Sequence, residues 1–221
     1  MKRIALLVAG AALAAGCGSS SAGHATVWVT RDRGAHVLHT ARVPAGLTAM
    51  QGLGRVAKVE TRYGGRYVRA VDGVAEHGRA SWFYYVNGYL ADRGAAEYRL
   101  RDGDVEWWDF RGWRDPQDDE VVVGAFPEPF LHGYDGKRRE AVVVARDAAL
   151  GRRLARLVGG RYVARAQAGA NVLDVIPGVR PRFFARVPTR PGAPVFFVLE
   201  ASFARRLLGD LALARRRYAV P

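Results

Sequence analysis

Ser81-Trp82-Phe83-Tyr84-Tyr85-Val86-Asn87-Gly88 is the stretch of this 221-residue chain whose reading decides the fold. Its middle is a run of aromatic and β-branched side chains that suit a pleated strand, and Asn87-Gly88 supplies the positive φ that a two-residue hairpin turn requires. Successive side chains of a strand point to opposite faces, so Trp82, Tyr84 and Val86 share one face and Phe83, Tyr85 and Asn87 the other. Both faces are therefore aromatic. One must be core; the other is either covered by neighbouring structure or is a surface that could hold a planar ligand or a sugar.

Working outward, alternation at 25–31, 36–43, 67–71, 82–87 and 105–110 predicts strands of a mostly antiparallel sheet. One helix interrupts them, with Thr48 as N-cap and Met50, Leu53 and Ala57 at helical spacing, weakened by Gly52 and Gly54. Asp72-Gly73 and Asp102-Gly103 mark further turns. Residues 114–139 read as a linker with an ordered loop, polar around Pro116 and then rich in proline and aromatic residues. Residues 140–221 predict a smaller α/β segment with strands at 141–144, 162–166, 172–176 and 195–199 and a helix over 147–158 stopped by Gly159-Gly160. A final helix starts near Ala201, with an apolar stripe of Phe203, Leu207, Leu208 and Leu211, while Arg205, Arg206, Arg215, Arg216 and Arg217 crowd its polar side and its end.

The aromatic strand is followed by Gly94-Ala95-Ala96-Glu97-Tyr98-Arg99-Leu100-Arg101-Asp102-Gly103-Asp104-Val105-Glu106-Trp107. Together they give an aromatic strand ending in Val-Asn-Gly, a Gly-Ala turn, a tyrosine, and a Leu-x-Asp-Gly-Asp turn feeding a Glu-Trp strand. That order resembles the transcobalamin C-terminal-like domain, a bacterial domain of largely unknown function found in secreted and surface proteins, over 24–113. Trp108-Asp109 departs from the family, which more often shows Arg-Tyr there. Phe126-Pro127-Glu128-Pro129-Phe130 and Gly136-Lys137-Arg138 resemble extensions of bacterial members. The resemblance implies a β-grasp-like α+β fold with one packed helix and a ligand-facing surface. In vertebrate vitamin carriers the domain closes over cobalamin together with a helical domain, and no stretch here reads as that partner. A cobalamin-like corrinoid thus stands as one candidate ligand, beside other planar or sugar ligands, and the candidate contacts are Trp82, Tyr84, Tyr85, Asn87, Trp107 and Trp108. Trp113 raises the same question.

The N-terminus has the order of an export signal: Lys2 and Arg3, an apolar stretch from Ile4 to Leu13, then Leu13-Ala14-Ala15-Gly16-Cys17. The apolar run is shorter than the roughly 20 residues that span a bilayer. Leu-Ala-Ala-Gly-Cys resembles the lipobox of bacterial lipoproteins, which implies a signal peptide over 1–16 and lipidation of Cys17. Cys17 is the sole cysteine, so no disulfide within the chain competes for it. Residues 18–23, Gly-Ser-Ser-Ser-Ala-Gly, read as a flexible tether. The expected location is extracytoplasmic, with the lipid, including a fatty acyl chain such as palmitate, holding the protein to a membrane.

Thirty-four Lys and Arg against 21 Asp and Glu give a net charge of +13, nearly all of it arginine. The arginines are either scattered on a solvated surface or rest against an anionic envelope polymer; nucleic acid is not an expected partner outside the cell. Gly52-Leu53-Gly54-Arg55-Val56-Ala57 matches the dinucleotide fingerprint only formally, because no strand leads into it. His36 and His39 point to opposite faces of a strand, and Asp115, Asp118, Asp119 and Glu120 lack calcium-loop spacing, so no metal site is expected. Asp102, Asp104, Glu106 and Asp109 lie near aromatics as in glycan hydrolases, but no nucleophile elbow accompanies them and the turn accounts for Asp102 and Asp104. The expectation is a non-enzymatic ligand-binding or interaction lipoprotein, with an envelope structural or adhesion lipoprotein as the alternative and a glycan-acting hydrolase third. Metabolic labelling with palmitate should mark the wild-type chain in the membrane fraction, and Cys17→Ser should lose both the label and the membrane association.

Overall fold

β1 (His24–Arg31) and β2 (His36–Pro44) form an antiparallel hairpin in the computed structural model, which describes residues 23–113, 120–186 and 190–221. α1 (Ala49–Gly54) follows, and then β3 (Val59–Arg62), β4 (Tyr67–Val71) and β5 (Val74–Ala75) make a small antiparallel sheet. β6 (Ala80–Val86), β7 (Tyr89–Leu90) and β8 (Val105–Gly112) complete the first sheet, in the order β2-β1-β8-β6-β7. Its pairs are antiparallel except the central one, where β8 returns to lie parallel to β1. Hairpin, packed helix and a last strand inserted parallel beside the first make a β-grasp-like arrangement, and the class is α+β as expected.

Local chemistry explains the elements that the sequence marks. Thr48 caps α1 in a reciprocal box: its hydroxyl accepts from the Gln51 amide while the Gln51 side chain accepts from the Thr48 amide, satisfying two otherwise orphaned donors. The helix stops at Gly54, so Ala57, expected on it, lies just beyond and packs from a loop. Asn87 and Gly88 adopt φ of 50° and 86°, the two positive values of a tight hairpin turn. At Asp102-Gly103 only the glycine has positive φ; the Asp102 carboxylate instead accepts from the His24 amide at 2.8 Å.

α2 (Glu128–Leu131) precedes a second sheet of β9 (Ala141–Ala145), β10 (Arg161–Val163), β11 (Asn171–Ile176), β12 (Phe183–Arg186) and β13 (Phe196–Glu200). Its order is β10-β9-β11-β13-β12, parallel throughout except for β12. α3 (Ala148–Leu157) and α4 (Ala201–Leu207) connect and pack on it, capped by the Asp147 and Glu200 carboxylates. α4 is shorter than the sequence suggests. Leu211 falls in a separate 3-10 turn in which the Asp210 carboxylate caps the Ala212 amide, and Arg215–Arg217 end no helix but belong to a strap that returns to the first sheet. Within the 114–139 stretch, residues 120–139 are packed. Val122 and Ala125 pack against the first sheet, and Phe126 and Phe130 extend an edge-to-face series with Phe183 and Phe197 at centroid distances of 5.2 to 5.9 Å. No helix among the described residues is long and apolar enough to cross a membrane.

The strap decides what happens to the second aromatic face. Arg216 donates its amide to Gly124 O and Val123 donates to Tyr218 O, so the chain end runs across Gly124, where a Cβ would stand 2.6 Å from Arg217 N and 2.7 Å from the Trp107 ring. Tyr218 then lies edge-on to Trp107 at 5.3 Å and to Tyr85 at 5.5 Å. Its hydroxyl donates to Asp109 Oδ2 at 2.9 Å and accepts from Arg111 Nε at 3.1 Å. Tyr218→Ala should lower the free energy of unfolding by about 3 kcal/mol, and Tyr218→Phe, which keeps the ring, by about 1 kcal/mol, measured by denaturant titration of near-ultraviolet circular dichroism.

Candidate functional site

Both faces of β6 are occupied by protein. Trp82, Tyr84 and Val86 join Trp108 and Phe110 in the main core, beneath Leu53 of α1 and Val68 and Val71 of β4. Tyr85 joins Trp28, Trp107, Val122 and Ala125 in a second cluster, against which Phe83 and Tyr218 pack. Of the six residues singled out by sequence, Tyr85, Asn87 and Trp107 are wholly buried and reach no surface, which corrects their reading as ligand contacts. Asn87 is a structural clamp: its amide donates to Asp104 Oδ1 and to Gly133 O, and its carbonyl accepts from the Val105 amide. The Trp107 indole donates to Thr30, whose hydroxyl donates to Asp109.

Trp82, Tyr84 and Trp108 meet instead along the floor of a groove of about 280 Å³. β7 pairs only with Tyr85 and Val86, so the β6 edge before them has no neighbouring strand among the described residues, and the groove lies in that gap. Tyr84 stacks on Trp108 at 4.8 Å and 20°, its hydroxyl donates to Arg93 O, and the Trp82 indole donates to Val74 O at 2.9 Å. The polar tips are thus used up and present an apolar floor. Tyr67 stands at one side, and Arg66 and Arg93 form the rim. Arg93 is held by Asp92 at 3.0 Å and Asp135 at 3.3 Å. Arg66 is exposed, and its side chain has no ion-pair or hydrogen-bond partner among the described residues. The sequence could not single out these arginines from the many others it contains.

Under the floor lies Glu106, with no solvent exposure. Oε1 accepts from the Trp108 indole at 2.6 Å and Oε2 has no hydrogen-bond partner. Gly52 of α1 is a packing requirement here, since a Cβ would stand 2.5 Å from Glu106 Oε2 and 2.8 Å from Leu100 Cδ1. Burial pushes the Glu106 carboxyl well above its ordinary value, with the nearby Asp104 charge adding to the effect and the Trp108 bond opposing it. Asp104 and Asp109 are also raised, burial outweighing the bonds that each accepts. Asp109 takes Thr30, the amides of Arg33 and Gly34, and Tyr218; Asp104 takes the Arg101 amide and Asn87. All three carboxyls are buried. His36 pairs with Asp32 and His39 with Asp72, apart from each other, and the described residues contain no group of three or more metal-ligating side chains. Cys17, Asp115, Asp118 and Asp119 lie outside the described residues.

Fold and groove together define a β-grasp-like α+β domain with an aromatic-floored groove at the open edge of β6. Residues 46–112 match the family described as a domain of unknown function (DUF4430). Among solved structures, the chain is similar to a candidate metal-binding protein from Ruminococcus gnavus ATCC 29149, at 16% identity and a TM-score of 0.34, covering 42% of this chain and 99% of that one. It is also similar to haptocorrin in complex with Cbi, at 16% identity and a TM-score of 0.34, covering 41% of this chain and only 26% of haptocorrin. No curated protein matches.

Glu106 gives a signed pH prediction. A carboxyl whose folded-state pKa is raised keeps its proton in the folded protein after the unfolded chain has lost it, so stability falls as pH rises from about the ordinary value of 4.5 through the folded value. Glu106→Gln removes that loss while keeping an acceptor for Trp108. The difference in unfolding free energy between Glu106→Gln and wild type should grow in favour of the variant by up to about 1.4 kcal/mol per pH unit above pH 4.5 and then level off. A difference that does not change with pH would show that Glu106 is ionised in the folded state.

Proposed function

We propose that this protein is a non-enzymatic ligand-binding module, tethered through lipidated Cys17 to the outer side of a membrane, whose groove takes a flat ring carrying an acidic or hydrogen-bond-accepting group. The observation that carries this reading is the groove itself: an apolar floor of Trp82, Tyr84 and Trp108 beside a rim arginine, Arg66, that has no side-chain partner among the described residues. The stacked floor would contribute apolar contact while Arg66 would orient the polar group, the usual division of labour in a small-molecule site. Its about 280 Å³ would admit a single ring system and only an edge of a corrinoid, so a corrinoid is the larger test ligand of this reading and not its centre. Catalysis is not part of the proposal, because Asp104, Glu106 and Asp109 are buried in the interior.

A second reading rests on a different surface. Arg152, Arg153 and Arg156 lie exposed on α3 with no carboxylate partner among the described residues, a basic patch that favours contact with an anionic envelope polymer. Salt separates the two. Calorimetric and absorbance titration of protein starting at Gly23 with cobinamide, cobalamin and aromatic carboxylic acids should give saturable binding that changes little between about 0.05 and 0.5 M salt, weakens by roughly tenfold in Arg66→Glu, and is lost in Ala91→Trp, which fills the groove. Saturable binding untouched by both substitutions would sink the groove; no binding of any ring ligand, together with salt-steep binding to an anionic polymer lost in a triple substitution of the α3 arginines, would establish the second reading.

A further inference from the structure

We propose that a second hollow, beside Trp113 at the far end of β6, is a carbohydrate subsite for a neutral pyranose ring. It goes beyond the groove and does not depend on it. The hollow has a volume of about 340 Å³ and is lined by Arg62, Glu76, His77, Ser81 and Trp113, with backbone from Gly78 and Ala80. Trp113 is 56% exposed, whereas Trp28, Trp82, Trp107 and Trp108 are all buried. An indole left in water beside polar groups presents a flat apolar platform, the surface that the C–H face of a sugar ring covers. Its ring is fixed from behind by Phe83, edge-on at 6.0 Å, and its amide donates to Arg79 O at 2.8 Å.

The polar side of the hollow is built to meet hydroxyl groups. Tyr67 donates to Glu76 Oε2 at 2.6 Å and bonds the Ser81 hydroxyl at 2.8 Å, which fixes the carboxylate and the serine. Arg62 Nη1 pairs with the buried Glu76 Oε1 at 2.8 Å, which holds the guanidinium at the side of the hollow. A sugar hydroxyl in the hollow would accept from the outward N–H groups of the Arg62 guanidinium and bond the exposed His77 imidazole. Because that guanidinium and that carboxylate neutralise one another, the hollow offers no net charge to attract an anion, and the ligand that fits is uncharged, with adjacent hydroxyls on its edge and C–H groups on its face.

The exposure contrast makes Trp113 its own reporter, since acrylamide should quench its fluorescence well ahead of that of the four buried indoles. Cellotriose, chitotriose and mannotriose are titrated into protein starting at Gly23. At least one should protect the quenchable fluorescence saturably, with a Kd of about 0.1 to 1 mM. Trp113→Ala should remove the quenchable component and abolish calorimetric binding of the same sugar, Trp113→Tyr should retain binding within about tenfold, and Glu76→Gln should weaken it by roughly tenfold. All three variants should melt close to wild type, because Trp113 is exposed and Glu76 lies at the sheet end. Protection by none of the sugars, or sugar binding undiminished in Trp113→Ala, overturns the proposal. Ring-ligand binding in the groove should be unchanged in Trp113→Ala, and sugar protection unchanged in Arg66→Glu, so that either site can fail without the other.

Discussion

A sheet with large aromatic side chains on both faces cannot leave either face in water, and this constraint organises the whole molecule. Burying one such ring contributes about 1.5 to 3 kcal/mol, so opening the cluster of Trp28, Tyr85 and Trp107 to solvent would remove a large part of a domain's net stability. Residues 24–113 supply only one cover, made by α1 and the small sheet of β3 to β5. The other cover comes from 122–125 and from Tyr218, almost at the chain's end. The strap works because its contact is polar as well as apolar: Tyr218 satisfies Asp109 and Arg111, which are buried beneath it. The second sheet therefore serves the first as the scaffold that brings the chain end back across it.

Burial on both sides also explains the unusual distribution of carboxylates. Asp104 and Asp109 sit where turn and hairpin amides point inward, and their bonds replace water. Glu106 has no such supply. Its one donor is the Trp108 indole, burial pushes its carboxyl upward, and the absent side chain at Gly52 makes room for it. The arrangement keeps Trp108 oriented for stacking with Tyr84, which in turn sets the groove floor. A buried acid thus acts on the surface through two aromatic rings.

The elements legible in the sequence were those fixed by neighbours in the chain: β6 by its aromatic alternation, the Asn87-Gly88 turn by its φ values, α1 by Thr48, and the end of α3 by Gly159-Gly160. What was not legible depends on distant partners. Nothing local says that β8 pairs parallel with β1, that Phe183–Arg186 forms a strand beside β13, or that Tyr218 lies on Trp107. The arginines at 215–217 suit a helix end equally well in sequence, and Asp210 decides otherwise by capping a new turn. The candidate site divides along the same line. The aromatic identity of Trp82, Tyr84 and Trp108 was readable, but which face stays covered is a tertiary fact, and it removes Tyr85, Asn87 and Trp107 from the surface.

With both faces covered, the open part of β6 is its edge, and there the shortness of β7 is decisive. A full-length neighbour would pair the whole of β6 and close the gap; two residues close only its end. An unpaired edge is a hazard in a protein because its backbone groups can recruit another chain, and it is usually blunted by charge or by a covering loop. Here the Ala91 amide donates to Tyr84 O at 3.1 Å, and β4, Arg66 and the rest of the 91–95 loop stand around the remaining gap, which leaves the groove between them. The same geometry covers the edge against another strand and leaves beside it a groove of about 280 Å³, the feature on which the proposed small-ligand reading rests.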